Sequence, residues 1–203
     1  MTVLYYTHDP MCSWCWAFRL VWDEVQRRLP ASVGVRYLLG GLAPDSSESM
    51  SAGTRQEIQD YWKSIQQRVP GTRFNFDFWR ICIPRRSTYP ACRAVIAAKN
   101  QNPAIEDAMV LSIQEAYYLH ARNPSDEDVL IKLAIHLGLD AGQFQKDLNA
   151  AETQSQLMDE ILFGRRLGVR GFPSLILQSG ENLRVIRIDY TDAGIILRQI
   201  GDY

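Results

Sequence analysis

Two cysteines separated by two residues, at the point where a strand pattern changes to a helix pattern, constrain this chain more than any other feature. Residues 2–6 (TVLYY) are β-branched and aromatic, which indicates a strand, and the polar run His8-Asp9-Pro10 ends it. Apolar residues then recur at helical spacing until Pro30 stops the pattern. The sequence therefore predicts Cys12 at the start of a helix and Cys15 on the face of that helix that turns inward.

The predicted position gives the two thiols different roles. Unpaired backbone N–H groups and the helix dipole at a helix N-terminus favour the thiolate of Cys12, and the thiolate is the nucleophilic form of cysteine. Cys15, three residues later, is expected to be shielded. In thiol–disulfide exchange one thiolate attacks a substrate sulfur and a neighbouring thiol then releases the mixed disulfide. We therefore predict Cys12 as the attacking thiol and Cys15 as the resolving thiol.

The spacing of the cysteine pair is also compatible with other interpretations of its role. A zinc or iron–sulfur site made of cysteines would need a second close pair, whereas Cys82 and Cys92 are far apart in the sequence. Two core cysteines at chance spacing are another reading. The strand-then-helix context favours redox chemistry, and we expect no metal site.

The rest of the chain divides into a mixed part and a helical part. A second strand is predicted at residues 33–39, with Gly40-Gly41 as its stop, and it completes a βαβ unit. From about residue 46 to residue 167 nearly every segment has helical periodicity. After this block the sequence predicts two hairpin strands and a helix, at residues 174–177, 183–188 and 192–200.

Polar residues mark where three helices of the helical block should begin. Thr54, with Glu57 three residues later, has the pattern of a capping box. Ser125 is expected to cap the helix that contains residues 129–137, and Asp140 is expected to begin a short helix after it.

The order βαβ then αββα, with C-x-x-C at the first helix, resembles the thioredoxin superfamily. That superfamily carries a cis-proline before its third strand, facing the cysteines, and Pro173 in GFPS fits this position. The helical block and the run DPMCSWCW are similar to the DsbA-like branch, near its cytoplasmic FrnE-like members, which are often described as predicted disulfide isomerases. The resemblance implies an α/β thioredoxin fold (βαβ-αββα) with a large all-helical domain inserted between its halves. The implied domains are 1–45 with 168–203, thioredoxin-like, and 46–167, the helical insertion.

The resemblance also implies a substrate groove beside the cysteines. In a thioredoxin-like groove the backbone of the residue before the cis-proline, here Phe172, pairs with an extended substrate. Met11, Trp14 and Phe172 would form an apolar rim, with Ser13 and Pro173 completing the substrate-binding set. Ser13-Trp14 stands where the periplasmic oxidant of the branch has Pro-His. Because a more stable thiolate makes a stronger oxidant, the missing histidine predicts a less oxidising enzyme.

Two further residues are candidates for accessory roles. His8 lies four residues before Cys12 and could reach its sulfur as a charged partner or proton relay, although a turn histidine without a catalytic role fits the same position. Cys92 could lie above the active site, because residues 88–94 also resemble the helical domain of the branch. Cys82 and Cys92 could instead pair with each other, or both could be free thiols.

Charge and hydropathy exclude several classes of protein. The chain has 203 residues with 22 basic and 23 acidic side chains, so it lacks the positive charge that nucleic acids and anionic membranes attract. Four cysteines are too few for a disulfide scaffold. No segment resembles a secretory signal or a membrane span, and we expect a cytoplasmic protein. The pairs Arg85-Arg86 and Arg165-Arg166 could bind a glutathione carboxylate or lie on solvated faces.

The leading hypothesis is a thiol–disulfide oxidoreductase of the reductase or isomerase type. It would act on protein, peptide or small-molecule disulfides through Cys12-Ser13-Trp14-Cys15, without a cofactor but with glutathione as a candidate co-substrate. Two alternatives come from relatives of the same branch. One is a glutathione-binding enzyme like the kappa-class transferases and 2-hydroxychromene-2-carboxylate isomerases, which use serine in place of the attacking thiol. The other is a non-catalytic adaptor for the ClpXP protease. The direction of electron flow, the client and the oligomeric state stay open at this point.

Overall fold

Four strands form one mixed sheet in the computed structural model, which describes residues 2–201. The strands are β1 (Thr2–His8), β2 (Val33–Leu39), β3 (Ser174–Ser179) and β4 (Asn182–Ile186). Their order across the sheet is β2-β1-β3-β4, with β1 parallel to β2 and antiparallel to β3, and β3 antiparallel to β4. The predicted βαβ unit and hairpin are confirmed, but the last strand ends at Ile186 rather than at residue 188. Residues 1, 202 and 203 of the predicted thioredoxin-like domain lie outside the described residues.

Most of the helices lie between β2 and β3 in the chain. The helices are α1 (Ser13–Arg28), α2 (Ala52–Arg68), α3 (Phe78–Ile81), α4 (Tyr89–Gln101), α5 (Glu106–Tyr118), α6 (Glu127–His136), α7 (Ala141–Leu148), α8 (Ala151–Arg166) and α9 (Ala193–Gly201). Helices α2 to α8 fill the interval between the two halves of the sheet, which confirms the predicted α/β class with a helical insertion. None of the helices in this described part is both long and apolar enough to cross a lipid bilayer.

Alternation along the strands gives the sheet two apolar faces. Leu4 and Tyr6 of β1 belong to the core on one side, where Trp22 of α1 packs together with residues of α9. Tyr5 belongs to the core on the other side, where its ring centroid lies 5.4 Å from that of Phe163 in α8. Helix α8 therefore joins the helical insertion to the sheet.

Helix α4 runs through the centre of the insertion and is not among the helices that periodicity predicts. Its buried residues are Ala91, Cys92, Ala94, Val95, Ile96, Ala97 and Ala98. A helix that is buried on most of its sides has no polar face, so its sequence shows no amphipathic stripe. The element at the centre of the insertion is therefore one that a search for an apolar stripe did not predict.

Two of the three predicted helix starts need correction. Helix α2 begins two residues earlier than Thr54, because the Ser51 hydroxyl accepts the Thr54 backbone N–H at 3.1 Å and is the cap. Ser125 does not cap α6, because its hydroxyl donates to the Ser87 carbonyl at 2.7 Å instead. The third prediction is confirmed, since the Asp140 carboxylate accepts the Gln143 backbone N–H at 2.6 Å.

Candidate active site

The turn between β1 and α1 places Cys12 at the helix N-terminus. The Cys12 backbone N–H donates to the Asp9 carbonyl at 3.0 Å, which closes the turn. Cys12 is the residue that caps α1, and its own carbonyl accepts the Trp16 N–H at 3.0 Å. The first turn of α1 carries no acidic side chain. The Cys12 thiol thus lies beside backbone N–H groups that have no partner within the helix, where a thiolate is favoured.

The two thiols differ in access to solvent. Both are free, Cys12 with 7 % of its surface exposed and Cys15 with 1 %. Burial, followed by the neighbouring Cys12 thiol, raises the pKa of Cys15 well above its ordinary value. A thiol that stays protonated and shielded suits a resolving role, because it reacts only after an adjacent disulfide has formed.

Phe172 and Pro173 lie close to Cys12. The Cys12 Sγ donates to the Phe172 carbonyl at 3.6 Å, and the Phe172–Pro173 peptide bond is cis. The ring of Phe172 packs against Gly40, where a Cβ would lie 2.0 Å from Cε1 of that ring. Gly40, which the sequence marked only as the end of a strand, therefore makes room for Phe172.

A cavity of about 440 Å³ lies beside Cys12. One part of its wall comes from residues 11–14, Leu42 and residues 170–172, and the helical insertion supplies the rest. The lining residues from the insertion are Met50, Ile58, Tyr61, Trp62, Arg85, Arg86, Ser87, Thr88 and Tyr117. The cavity is therefore shared between the two parts of the fold.

Three arginines line the cavity and give it positive charge. The Arg85 guanidinium is held by the Asp126 carboxylate at 2.5 Å and by the Ser125 carbonyl at 2.6 Å. Arg86 and Arg170 are exposed. The pair Arg85-Arg86 was among the predicted anion contacts, whereas Arg170 was not. The other predicted pair, Arg165-Arg166, is exposed at the end of α8 and is not part of the lining.

The predicted apolar rim is only partly exposed. Met11 has 9 % of its surface exposed and belongs to the core of the insertion as well as to the cavity wall. Trp14 packs its ring 5.1 Å from that of Tyr190, and the Arg68 guanidinium carbon lies 6.0 Å from the Trp14 ring centroid. Trp14 therefore links the cysteine segment to α2 in addition to lining the cavity.

His8 is not the charged partner of Cys12 that the sequence allowed. Its ring stacks on Tyr6 with centroids 5.0 Å apart, and its exposed fraction is 2 %. Burial, with the nearby Arg19 and Lys99 charges, lowers the pKa of His8 to about 3. A histidine that stays neutral at ordinary pH cannot stabilise a thiolate by charge.

The other two cysteines are free thiols with separate partners. Cys92 is completely buried and its Sγ lies 3.5 Å from the Asp9 carboxylate, and burial raises its pKa well above the ordinary value. Cys92 therefore contacts the turn before Cys12 through Asp9 and does not line the cavity. Cys82 donates to the Ala121 carbonyl at 3.1 Å. Within residues 2–201, no three potential metal ligands among His, Cys, Asp and Glu come together.

Sequence reasoning missed Asp9 as a site residue. Its side chain is fully buried and accepts hydrogen bonds from the Met11 and Leu42 backbone N–H groups at 2.8 and 2.7 Å, and from the Thr88 hydroxyl at 2.7 Å. Burial raises the pKa of Asp9 from 3.8 while these hydrogen bonds oppose the rise. An aspartate before a proline is typical of an exposed turn, so nothing in the local sequence signalled its burial.

Comparison with known proteins identifies the family. A family model described as thioredoxin matches residues 5–190. Among solved structures, a Nitrosomonas europaea protein whose assignment as a protein disulfide isomerase is itself provisional is 28% identical, with a TM-score of 0.84, and the match covers 99% of this chain and 96% of that one. The cytosolic disulfide reductase DsbM from Pseudomonas aeruginosa is 26% identical, with a TM-score of 0.76 and coverage of 98% and 94%. DsbM has also been solved with GSH.

Other relatives carry different names. The ClpXP adapter protein SpxH of Halalkalibacterium halodurans is 24% identical over 172 residues, which are 83% of this chain and 56% of that protein. The chain thus spans just over half the length of the curated relatives it matches. A 2-hydroxychromene-2-carboxylate isomerase shares the fold, with 14% identity, a TM-score of 0.64 and coverage of 98% and 93%. The family match over most of the chain, together with the DsbM and DsbA-like structures, shows that the chain belongs to the thioredoxin superfamily, in its DsbA-like branch.

Proposed function

We propose that this protein is a thiol–disulfide oxidoreductase that reduces or isomerises disulfides of proteins, peptides or small molecules. The observation that carries the proposal is the arrangement of the two thiols, with Cys12 at the N-terminus of α1 beside a cavity and Cys15 buried behind it. The likeness to DsbM, which is named as a reductase, supports the same chemistry.

The proposed reaction uses the two thiols in sequence. The Cys12 thiolate attacks one sulfur of a substrate disulfide, and the other sulfur leaves and takes up a proton. Cys15 then attacks Cys12 in the mixed disulfide, which releases the second substrate thiol and leaves a Cys12–Cys15 disulfide. The substrate has gained two electrons and two protons, and two donor thiols must restore the protein dithiol.

A reducing compartment suits this direction of electron flow. In the cytosol the glutathione pool keeps thiol pairs of ordinary potential reduced, and we propose the cytoplasm as the place of action. DsbM, named as cytosolic, supports this placement. Glutathione is the donor we propose, because its carboxylates match the positive charge that Arg86 and Arg170 give to the cavity.

Insulin reduction with glutathione as the donor tests the proposed reaction. We expect Cys12→Ser to fall to the uncatalysed rate, and Cys15→Ser to accumulate a mixed disulfide with glutathione that intact-mass measurement detects. Cys82→Ser is the matched control, because that thiol bonds to the Ala121 carbonyl, and its rate should equal that of the wild type. Undiminished insulin reduction by Cys12→Ser would remove the proposed function.

The arginines of the cavity give a test of the donor. Arg86→Ala and Arg170→Ala should each raise the KM for glutathione about two- to fivefold with little change in kcat, as expected for ion pairs at an exposed site. The effect should shrink in high salt, because salt screens exposed charges. Arg165→Ala is the control, since this exposed arginine does not line the cavity. An equal rise in KM for all three variants would show that only net charge matters.

A non-catalytic adaptor is the second candidate, and the SpxH relatives favour it. An adaptor binds its partners by surface contact, so binding should not depend on the thiols. A pull-down with immobilised ClpXP, using wild type and the Cys12→Ser/Cys15→Ser double variant, separates the two functions. Equal retention of both proteins supports the adaptor, and no retention of either removes it.

The glutathione-binding transferase or isomerase reading is the third candidate. The retained Cys12 thiol argues against it, because those enzymes use serine at that place. Isothermal titration with glutathione decides the point when it is combined with the insulin assay. Glutathione binding without any disulfide exchange would put this reading first.

A further inference from the structure

A buried carboxylate without a cationic partner lies in the turn between β1 and α1, three residues before Cys12. Asp9 has none of its surface exposed, and within residues 2–201 no lysine, arginine or histidine forms an ion pair with it. Such a charge is costly to bury unless hydrogen bonds satisfy it. Its donors come from three segments: the Met11 N–H in the turn, the Leu42 N–H after β2, and the Thr88 hydroxyl and Cys92 thiol at the start of α4.

The hydrogen-bond pattern fits the ionised form of Asp9. Two of the donors are backbone N–H groups, which cannot accept. The Thr88 hydroxyl accepts the Ala43 backbone N–H at 3.1 Å, so its own proton is available for the Asp9 carboxylate at 2.7 Å. Because the polar groups around both carboxylate oxygens act as donors, a proton on the carboxyl group would displace one of them.

The charge of Asp9 acts on the redox pair. Besides burial, which is the larger cause, its negative charge contributes to raising the pKa of Cys15 in α1, of Cys92 in α4, and of Tyr117 and Tyr118 in α5, and none of these groups is positive. A negative charge opposes the formation of a second one nearby, and burial leaves it poorly screened. The carboxylate accepts the N–H of Met11, the residue before Cys12, at 2.8 Å. It therefore disfavours the Cys12 thiolate, the charged form of the reduced pair, and leaves the neutral disulfide unaffected.

We propose that Asp9 is a positioning residue whose buried carboxylate lowers the reduction potential of the Cys12–Cys15 pair. Thr88 and Cys92 of the helical insertion hold this carboxylate in place. The inference rests on the proposed thiol–disulfide exchange. A pair whose reduced form is stabilised is a strong oxidant, as DsbA is, and Asp9 has the opposite effect. The insertion thereby tunes the potential of the cysteines through two donors.

Equilibration with glutathione measures the effect. In this reaction the protein disulfide takes two electrons and two protons from two glutathione thiols, which gives the protein dithiol and oxidised glutathione. We expect Asp9→Asn, which keeps the size of the side chain but removes its charge, to lower the ratio [GSH]²/[GSSG] at half-reduction about tenfold. For this two-electron couple, a tenfold lower ratio corresponds to a reduction potential about 30 mV higher, which makes the variant more oxidising.

Matched variants of the insertion keep the proposal testable if Asp9→Asn does not fold. Thr88→Val and Cys92→Ala each remove one donor, so the carboxylate holds a proton more readily and its field weakens. Both should shift the ratio in the same direction as Asp9→Asn but by less. Thr88→Ser and Cys92→Ser keep a donor at the same place and should match the wild type.

The control for buried charge is Glu160→Gln. Burial raises the pKa of Glu160, and its carboxylate accepts the Leu39 N–H at 2.7 Å on the sheet side of α8. Its removal should leave the glutathione ratio unchanged. The proposal is overturned if Asp9→Asn equilibrates like the wild type, if Thr88→Ser shifts as far as Thr88→Val, or if Glu160→Gln shifts as far as Asp9→Asn.

The proposal and the proposed function fail in different experiments. A shifted glutathione ratio in Asp9→Asn, with no insulin reduction by the wild type, would support the role of Asp9 and remove the reductase function. Normal insulin reduction by the wild type, with an unshifted glutathione ratio in Asp9→Asn, would support the reductase function and remove the role of Asp9.

Discussion

Gly40 shows how the lack of a side chain shapes the surroundings of Cys12. Its backbone N–H donates to the His8 carbonyl at 2.7 Å, and its Cα faces the ring of Phe172. Phe172 in turn presents its carbonyl to the Cys12 thiol. Gly40 therefore sets the distance between the loop before β3 and the attacking cysteine.

Replacing Gly40 with alanine should disturb the site. The new Cβ would lie 2.0 Å from the Phe172 ring, so the ring and its loop must move away from Cys12. We expect a loss of about 1–3 kcal/mol in the free energy of unfolding, as for other overpacked sites, together with slower insulin reduction. Urea unfolding and the insulin assay measure the two effects.

The control for this substitution is Gly53→Ala at the start of α2, where the nearest atom is the Ser51 Oγ at 4.0 Å. Alanine there should be neutral or stabilise the helix by up to about 1 kcal/mol. The double variant Gly40→Ala/Phe172→Ala should recover part of the lost stability. A Gly40→Ala protein as stable and active as the wild type would contradict the close packing of Phe172.

His8 makes the stability of the fold depend on pH. Its pKa is lowered from 6.5 to about 3 in the folded state, chiefly by burial. Above pH 6.5 the ring is neutral in both states, and below it the unfolded chain binds a proton that the folded chain does not. The contribution of His8 is therefore complete above its unfolded pKa and is lost as the pH falls toward 3.

The substitution His8→Phe keeps an aromatic ring beside Tyr6 and removes the titration. Between pH 6 and 4 the wild type should lose about 1.4 kcal/mol per pH unit relative to this variant. Asp9 and Glu160, whose pKa values are raised by burial, stabilise the fold on acidification, but they are present in both proteins and cancel in the difference. Urea unfolding at several pH values checks the slope, with exposed His136→Gln as a control that should follow the wild type.

For single residues, the sequence predicted those features that depend only on neighbouring residues in the chain. Cys12 and Cys15 could be placed because a strand-to-helix junction is a local pattern, and the structure puts them at that junction. The burial of Asp9 depends on Thr88 and Cys92, about 80 residues away in the chain, and no local pattern reports such a contact.

At the scale of the elements, helix starts show the same limit. The notable case is α2, where Thr54 and Glu57 have the sequence pattern of a capping box although Ser51 is the cap. Several hydroxyl residues precede this helix, and each of them is a plausible cap by residue type. The choice among them depends on how the chain enters the helix, which packing decides. The hairpin and the short helix at Asp140 were predictable because their turn and cap signals are local.

Substitutions at Ser51 and Thr54 test which of the two residues caps α2. Ser51→Ala should lower the free energy of unfolding by about 1 kcal/mol, because the Thr54 N–H loses its acceptor. Thr54→Ala should have a smaller effect, since alanine favours a helix interior. Thermal or urea unfolding of the two variants decides between the two positions. A larger loss for Thr54→Ala would restore the capping box as the start of the helix.

At the scale of the whole molecule, the described residues form two main cores. One surrounds α4, and the other lies between the sheet and helices α1 and α9. The sequence predicted both through the change from strand periodicity to helix periodicity. The boundaries at residues 45/46 and 167/168 stay a prediction, because residues such as Met11 and Leu39 from one part belong to the core of the other.

Hydrogen exchange should report the central position of α4. Residues 94–98 of this helix are almost completely buried, so their amides should exchange among the slowest of the insertion. The first turn of α2, residues 52–55, contains no buried residue and should exchange early. Mass spectrometry of peptides after timed labelling gives the comparison. Equal rates for the two segments would show that α4 does not organise the insertion.

The shared wall of the cavity has a consequence for protein engineering. The nucleophile Cys12 belongs to one part of the wall, with Cys15 buried behind it, whereas many of the other lining residues belong to helices α2 and α5 and the loop before α4. A chimera that takes residues 46–167 from another branch member would exchange the recognition surface while leaving the reacting sulfurs in place. Insertions with hydrogen-bond donors at the positions of Thr88 and Cys92 would retain the reduction potential, and insertions without them would change the potential together with the recognition surface.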